Sequence, residues 1–234
     1  MLTDIVLVQG PLVGTAGMLP LAERLHAGAR HVHVPDVVAA QGHPPAWRAW
    51  SSHLLGLLAL DGRMPILVGY SASTVLAAEL ATKLPVHGII FLDGDIPPAS
   101  GPVRPGSERL RRRVDDLADN DGGLPLWSDW WTTEEEKQGI GIADLARDPS
   151  AMERFRRDQP QMTRAWFDDA IDLAPWAHMP AGYIQLSRFF DQSASDAEGR
   201  GWPVKRLQGT HLHPTLAPDA TAEAIFEVAA KLVA

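Results

Sequence analysis

Short apolar runs alternate with segments of helical spacing along most of this chain, and this alternation is the strongest constraint on its fold. Strand-like runs, short and rich in β-branched residues, cover residues 4–10, 30–37, 64–70, 86–93, 181–188 and 204–208. Helical spacing covers residues 16–28, 46–60, 73–84 and 220–232. Parallel strands need crossover helices, and those helices cover both faces of the sheet. The sequence therefore predicts a doubly wound α/β domain with a mostly parallel sheet.

One interval between predicted strands, residues 96–180, is far longer than a single crossover helix requires. We expect residues 1–95 and 181–234 to form the core and residues 96–180 to form a helical cap, with helices near 107–119, 132–146 and 149–173. Two compatible interpretations of its tryptophans stay open: large aromatics hold such a cap to the sheet, and some of them line an apolar pocket beneath it. The tryptophans of this interval are Trp127, Trp130, Trp131, Trp166 and Trp176.

Charge and composition exclude several classes of partner. In 234 residues, 21 Lys and Arg stand against 29 Asp and Glu, a net charge of −8, so we expect neither nucleic acid nor an anionic membrane as a partner. The chain has no cysteine, which removes disulfides, thiolate metal sites and cysteine nucleophiles. We expect a protein of the reducing cytosol, without a signal peptide or a membrane span.

The most informative segment is an apolar strand that runs directly into Gly69-Tyr70-Ser71-Ala72-Ser73 and then into a helix. It resembles the nucleophile elbow of the α/β-hydrolase family, whose pattern is Gly-x-Ser-x-Gly. Small residues two before and two after the serine let the strand and helix backbones approach each other. Ser73 stands where the family usually has glycine, a departure that keeps the residue small. The resemblance implies an α/β-hydrolase fold in which Ser71 is the nucleophile.

A serine nucleophile needs a base, which the family places after the last strand. The predicted strand 204–208 is followed by a Gly-Thr-His sequence ending at His211, which resembles that loop. The resemblance implies that His211 takes the proton from the serine. His213, two residues further on, is the alternative candidate for this base.

The acid that orients this histidine has three candidates. Asp191 follows the strand 181–188, at the position that most of the family uses, and is our choice. Asp196 is an alternative that falls in a short predicted helix, 193–199. Asp93 ends an earlier strand, where a minority of the family place the acid.

The oxyanion hole of the family needs two backbone N–H donors. The resemblance implies Ala72 as one donor and the loop after the first strand as the source of the other. In that loop Gln9 replaces the usual histidine, and Pro11 has no N–H to give, so Leu12 must supply the second donor.

Other residues are expected around the substrate. We expect Leu12 and Tyr70 to flank the mouth of the pocket, and Trp127, Trp131 and Trp166 to contact an apolar substrate.

Metal and cofactor sites have little support in the sequence. The pairs His31-x-His33 and His211-x-His213 place imidazoles on one side of an extended segment, but the first pair also fits an edge strand. No glycine-rich nucleotide motif is present. We expect neither a metal nor a cofactor.

The functional expectation is a serine hydrolase that cleaves an ester, thioester or lactone of a largely apolar small molecule. Because Pro11 weakens the oxyanion loop, a non-hydrolytic catalyst using His211 as base, for cyclisation or elimination, is the alternative. A ligand-binding module without catalysis is a third possibility. The oligomeric state is left open.

Overall fold

The computed structural model describes residues 3–29, 31–37, 46–58, 62–104 and 106–233. Within them, the strands in chain order are β1 (Ile5–Val8), β2 (Val32–His33), β3 (Ile66–Tyr70), β4 (Gly88–Leu92), β5 (Gly101–Val103), β6 (Ile171–Leu173), β7 (Ala181–Gln185) and β8 (Val204–Arg206). The central sheet is parallel throughout, with the order β2-β1-β3-β4-β7-β8. This is the predicted doubly wound α/β architecture.

Helices fill most of the connections. In chain order they are α1 (Leu19–His26), α2 (Ala46–Leu57), α3 (Thr74–Ala81), α4 (Glu108–Leu117), α5 (Glu134–Ile140), α6 (Ile142–Leu145), α7 (Pro149–Asp158), α8 (Ala165–Asp168), α9 (Asp191–Gly199), α10 (His213–Leu216) and α11 (Pro218–Leu232). Side-chain caps define several starts: Ser107 caps α4, Asp148 caps α7, and Thr133 with Glu136 forms a capping box at α5.

The core lies between the sheet and the helices on its faces. Every residue of β1, β3, β4 and β7 is buried, and so is every residue of α3, which packs on β3 and β4. On the sheet, α11 contacts β7, β4 and β8. Such uninterrupted apolar strands are typical of a parallel sheet covered on both faces, because no side of the strand meets water.

Two predicted helical segments are divided in the structure. The segment 132–146 is broken into α5 and α6 at Gly141, whose φ of 100° lies in the left-handed region. The prediction of helix over 149–173 was wrong at its end, where β6 pairs antiparallel with β5. In β6 a solvent-exposed Asp172 stands between buried Ile171 and Leu173, an alternation that suits a strand.

Parallel pairing brings the carboxyl ends of β3, β4, β7 and β8 to one edge of the sheet, where loop residues are positioned by a rigid scaffold. The segment 96–180 contributes β5, β6 and α4–α8. Its separation as a cap stays a prediction. Residues 30 and 59–60 of the predicted elements lie outside the described residues. In the part of the chain that is described, no helix is both long and apolar enough to cross a bilayer.

Candidate active site

Ser71 lies on a strained turn directly after β3. Its φ is 57°, which a residue with a side chain rarely adopts. A Cβ on Gly69 would lie 2.7 Å from the Cβ of Ala77 and 2.8 Å from the carbonyl oxygen of Ser73, so only glycine fits there. The Ser73 hydroxyl donates to the carbonyl oxygen of Gln9 at 2.5 Å and joins this turn to the loop after β1. The predicted order of strand, tight turn and helix is present.

His211 faces Ser71 across the edge of the sheet. Its Nε2 lies 3.1 Å from the Ser71 Oγ, although 140 residues separate the two along the chain. The Tyr70 hydroxyl donates to the carbonyl oxygen of His211 at 2.6 Å, and the two rings stack with centroids 4.9 Å apart. Tyr70 thus fixes both the backbone and the ring plane of His211.

Asp93, at the end of β4, contacts the other ring nitrogen of His211. Its Oδ2 lies 2.7 Å from His211 Nδ1 and also accepts from the Ser187 hydroxyl at 2.8 Å. Its Oδ1 accepts from the N–H groups of Leu186 and Ser187 at 2.7 and 2.9 Å. The side chain is fully buried, so these four partners replace the water that an ionised carboxylate needs.

This arrangement defines the tautomer of His211. A carboxylate is an acceptor only, so Nδ1 carries the proton and donates to Asp93. Nε2 is then a lone-pair acceptor directed at the hydroxyl of Ser71. The hydrogen-bonded chain runs from Asp93 through His211 to Ser71.

Gly94, which directly follows Asp93, packs against the turn that carries Ser71. A Cβ at Gly94 would lie 2.3 Å from the carbonyl oxygen of Ser71. The Tyr183 hydroxyl donates to the Gly94 carbonyl oxygen at 2.8 Å. Burial, with the nearby charge of Asp93 as a smaller cause, raises the pKa of Tyr183, and the same two causes raise that of Tyr70. Both phenols therefore stay neutral donors.

The sequence model of the alpha/beta hydrolase family matches residues 5–224, which is nearly the whole chain. The chain belongs to the alpha/beta hydrolase family. The sheet order and the elbow after β3 agree with this membership. No curated protein matches the chain.

Several solved structures superpose over nearly the full chain. A pyrethroid hydrolase is 21% identical, covering 100% of this chain and 99% of that chain, with a TM-score of 0.72. An extracellular alpha/beta-hydrolase from a Paenibacillus species is 17% identical, covering 97% and 98%, with a TM-score of 0.72. A variant of tomato methylketone synthase I complexed with beta-ketoheptanoate is 12% identical, covering 99% and 98%, with a TM-score of 0.73. At these identities the similarity shows the fold alone.

The structure corrects our choice of acid. Asp191 lies at the exposed start of α9, and its Oδ1 accepts a hydrogen bond from the Gln185 side chain rather than from His211. The chain after β7 turns at Leu186 and Ser187, whose N–H groups surround Asp93, so the place beside the imidazole is already filled. Asp196 is also exposed and accepts from Gln192 at 2.7 Å. The carboxylate beside His211 is therefore the one that follows β4.

The two expected oxyanion donors, Leu12 and Ala72, line the same cavity as Ser71 and His211. Among the described residues, no group accepts from the Leu12 N–H, and the N–H of Ala72 is in the first turn after the elbow, where a helix has no internal acceptor. A Cβ at Gly10 would lie 3.4 Å from the Cβ of Ser71, so the loop after β1 packs directly against the elbow.

A cavity of about 950 Å³ opens from Ser71 toward the segment 96–180. The predicted Trp127 and Trp131 line it, and the ring of Trp127 lies 6.1 Å from that of His211. Phe190, which the sequence analysis did not single out, also lines it, 5.7 Å from His211. The wall beside the imidazole is therefore aromatic.

Two residues predicted to meet the substrate lie elsewhere. Trp166 packs against Trp50 with ring centroids 4.7 Å apart, and its carbonyl oxygen accepts from the indole of Trp47 at 3.1 Å, so it holds α2 to the segment 96–180. Tyr70 is fully buried behind His211 rather than at the mouth of the cavity. Both assignments were wrong because a large aromatic side chain serves packing as readily as binding.

The second histidine of the His211-x-His213 pair begins α10 and lies against Gly209. The His213 ring packs against Gly209, where a Cβ would lie 2.2 Å from its Nδ1. Burial lowers the pKa of His213, with Asp93 opposing the shift. Within the described residues, no three His, Cys, Asp or Glu side chains cluster as metal ligands would.

Sequence reasoning missed the groups that hold the acid. Leu186 and Ser187 directly follow β7, and nothing in their residue types marks them as partners of a carboxylate. A signal was present at Asp93-Gly94, because a strand that ends in Asp-Gly at the sheet edge supplies a carboxylate and a close backbone approach together.

Proposed function

We propose that this protein is a serine hydrolase that cleaves an ester, thioester or lactone of a largely apolar small molecule through an acyl-enzyme. The observation that carries the proposal is the hydrogen-bonded chain from Asp93 through His211 to Ser71, with distances of 2.7 and 3.1 Å. A serine is a weak nucleophile until a base removes its proton, and a base of the correct tautomer lies within reach here.

In the first half of the reaction, Ser71 Oγ attacks the carbonyl carbon as His211 Nε2 takes the hydroxyl proton. The carbonyl oxygen becomes an oxyanion that the N–H groups of Ala72 and Leu12 stabilise. The imidazolium that forms is stabilised by Asp93, which stays ionised. His211 then protonates the leaving oxygen or sulfur, the bond to the acyl carbon breaks, and the acyl group remains on Ser71.

In the second half, water enters and His211 acts as base again. The hydroxide equivalent adds to the acyl carbon, and the same two N–H groups hold the oxyanion. The ester bond to Ser71 breaks, Oγ recovers its proton from His211, and a carboxylic acid leaves. Each step uses the one imidazole alternately as base and acid.

The cavity supports a small-molecule substrate with a substantial apolar part. Its volume of about 950 Å³ is at the large end of ligand pockets. Trp127, Trp131 and Phe190 supply flat apolar surface next to the reacting serine. The solved neighbours include proteins named as a pyrethroid hydrolase and an esterase, which agrees with ester chemistry.

The test is turnover of an activated ester by the Ser71→Ala variant. We expect this variant to lose turnover of the ester while its thermal unfolding midpoint stays unchanged. Retention of wild-type turnover contradicts the proposal.

The second candidate function is a non-hydrolytic step on a biosynthetic intermediate, with His211 as base and Ser71 as a hydrogen-bond partner only. Pro11 favours it, because a proline in the oxyanion loop withholds one N–H. A neighbour named as a methylketone synthase shares the fold. Reaction of Ser71 with a fluorophosphonate distinguishes the two functions: rapid covalent labelling favours the hydrolase, and its absence favours the alternative.

We keep the reducing cytosol as the proposed compartment. The absence of cysteine from the whole chain supports it, since small disulfide-stapled scaffolds are typical of oxidising compartments.

A further inference from the structure

The cavity is positively charged in a protein that is negatively charged. Five arginines and three carboxylates line it, and a fourth carboxylate, Glu136, pairs with Arg113 from outside the lining, which leaves a surplus of one positive charge, whereas the whole chain carries −8. The arginines belong to α4 and to the segment before it: Arg104, Arg109, Arg111, Arg112 and Arg113. Such a concentration of one sign in a concave site attracts ligands of the opposite sign.

Two of these arginines are already paired. Arg112 contacts Glu108 at 2.9 Å, and Arg113 contacts Glu136 at 2.6 Å while it lies over the ring of Trp131. These two guanidinium groups stabilise α4 and its junction with α5, and their charge is locally neutralised.

The other three make no ion pair among the residues that the structure describes. The Arg109 guanidinium lies over the ring of Phe189, 5.7 Å from the ring centroid. Arg111 is half-buried, and its Nη1 donates to the carbonyl oxygen of Gly106 at 2.5 Å. A guanidinium has five N–H donors, so most of those on Arg111 remain for a ligand.

Arg111 also interacts electrostatically with the inner part of the cavity, near Ser71. Its charge lowers the pKa of Asp95. Asp95 directly follows Gly94, which packs against the backbone of Ser71. Burial raises the pKa of Asp95 more than Arg111 lowers it, and no ion pair joins the two. The remaining carboxylates facing this region are Glu108, paired with Arg112, and Asp116 on α4.

We propose that the substrate of this site carries a carboxylate at the end remote from the scissile bond, and that Arg111, assisted by Arg109, binds it. This inference rests on the proposed hydrolase function. The reacting carbonyl lies at Ser71, the apolar middle of the molecule contacts Trp127 and Phe190, and the anionic end reaches α4. A guanidinium matches a carboxylate through two parallel N–H bonds, which gives orientation as well as attraction.

The first experiment compares three p-nitrophenyl esters of matched length that differ only in their remote end: the adipate monoester, its neutral methyl ester and the 6-aminohexanoate ester. The expected kcat/KM is at least about tenfold higher for the anionic ester than for the neutral one, the fold-change of about one charge-assisted hydrogen bond. The cationic ester is expected to be the poorest. Equal values, or a preference for the cationic ester, overturn the proposal.

Variants assign the preference to a residue. In Arg111→Gln the anionic preference is expected to fall to about twofold or less, whereas Arg111→Lys is expected to keep only part of it, because the charge remains but the two parallel N–H bonds are lost. The matched control is Arg154→Gln, which removes an exposed arginine of α7 that does not line the cavity and leaves the preference unchanged. An unchanged preference in Arg111→Gln also overturns the proposal.

A binding measurement separates this inference from the hydrolase function on which it rests. Calorimetric titration of wild type and Arg111→Gln with two ketones, the monoanion 6-oxoheptanoate and its neutral analogue 2,7-octanedione, requires no turnover, because neither compound has an ester bond to cleave. Tighter binding of the monoanion, lost in Arg111→Gln, supports the anion site even if no ester is cleaved, in which case the hydrolase function alone fails. Equal binding of both compounds to wild type rejects the anion site, whatever the activity.

Discussion

The Oδ2 of Asp93 lies 2.7 Å from the Nδ1 of His211, although 118 residues separate them in the chain. Asp93 has a φ of 45° at the end of β4, and Ser71 has a φ of 57° at the end of β3. Backbone strain of this kind is held only where the surrounding structure determines it. Here two neighbouring strands each end in a strained residue, and His211 connects the two side chains.

Replacing Asp93 by Asn tests this relationship. The amide removes the charge and favours the wrong tautomer of His211, so kcat is expected to fall by about 10⁴-fold with little change in KM. Steady-state kinetics on an activated ester measure it. Asp191→Asn is the matched control, because this exposed carboxyl does not contact His211, and its kcat is expected to stay within about twofold of wild type. The reverse ranking of the two variants contradicts the assignment of the acid.

The close approach of strand and helix at the elbow predicts a difference between two glycines. Gly69→Ala places a Cβ 2.7 Å from Ala77, so it is expected to destabilise the fold by about 1–3 kcal/mol. Gly56→Ala, within α2, meets nothing within 4 Å and is expected to stabilise the protein by up to about 1 kcal/mol, because alanine favours a helix. Urea denaturation measures both. Equal effects of the two variants contradict the packing described at the elbow.

Tyr70 is assigned to hold His211 rather than to bind substrate. Tyr70→Phe leaves the buried carbonyl oxygen of His211 without its donor and is expected to cost about 1–3 kcal/mol of stability. We expect kcat to fall by up to about tenfold as the imidazole loses its anchor, while KM stays constant. A change confined to KM places the phenol in the substrate site instead.

The junction of α4 and α5 predicts a pH-dependent stability. The hydrogen bond from Arg113 is the largest cause that lowers the pKa of Glu136 to about 2, and the capping bonds at Thr133 and Thr132 add to it. Because the folded pKa is depressed, this stabilisation is present above the ordinary glutamate pKa near 4.5 and is lost as pH falls toward about 2.

Glu136→Gln is therefore expected to cost about 1 kcal/mol at pH 7, since the ion pair is partly exposed. The difference from wild type shrinks as pH falls below about 4.5. Urea midpoints of the two proteins across pH 3–7 measure the effect. A difference that grows on acidification rules out the ionised carboxylate as its source.

The sheet was predictable from the sequence because its signal is local. Each central strand is an apolar run buried on both faces. In the Gly69–Ser73 turn between β3 and α3, small residues stand two before and two after Ser71, as a close approach of strand and helix requires. The β5–β6 pair was not predictable in this way, since three-residue strands with one exposed position give too short an alternation to distinguish from a helix end.

Asp93 and Asp191 share one local pattern, a carboxylate after an apolar strand, and the Gly94 that follows Asp93 was too weak a signal to decide between them. What separates them is the path of the backbone after β7, where Leu186 and Ser187 donate to Asp93. That path depends on long-range contacts and leaves no mark in the residue types. The same holds for Trp166, whose role depends on its contact with Trp50.

The most direct test of the central claim is the intact mass of the protein after brief exposure to a fluorophosphonate, followed by peptide mapping. The geometry predicts one adduct, on the peptide that contains Ser71, and its absence in Ser71→Ala and in His211→Ala. An unmodified protein, or an adduct on another residue, contradicts the assignment of Ser71 as a nucleophile activated by His211.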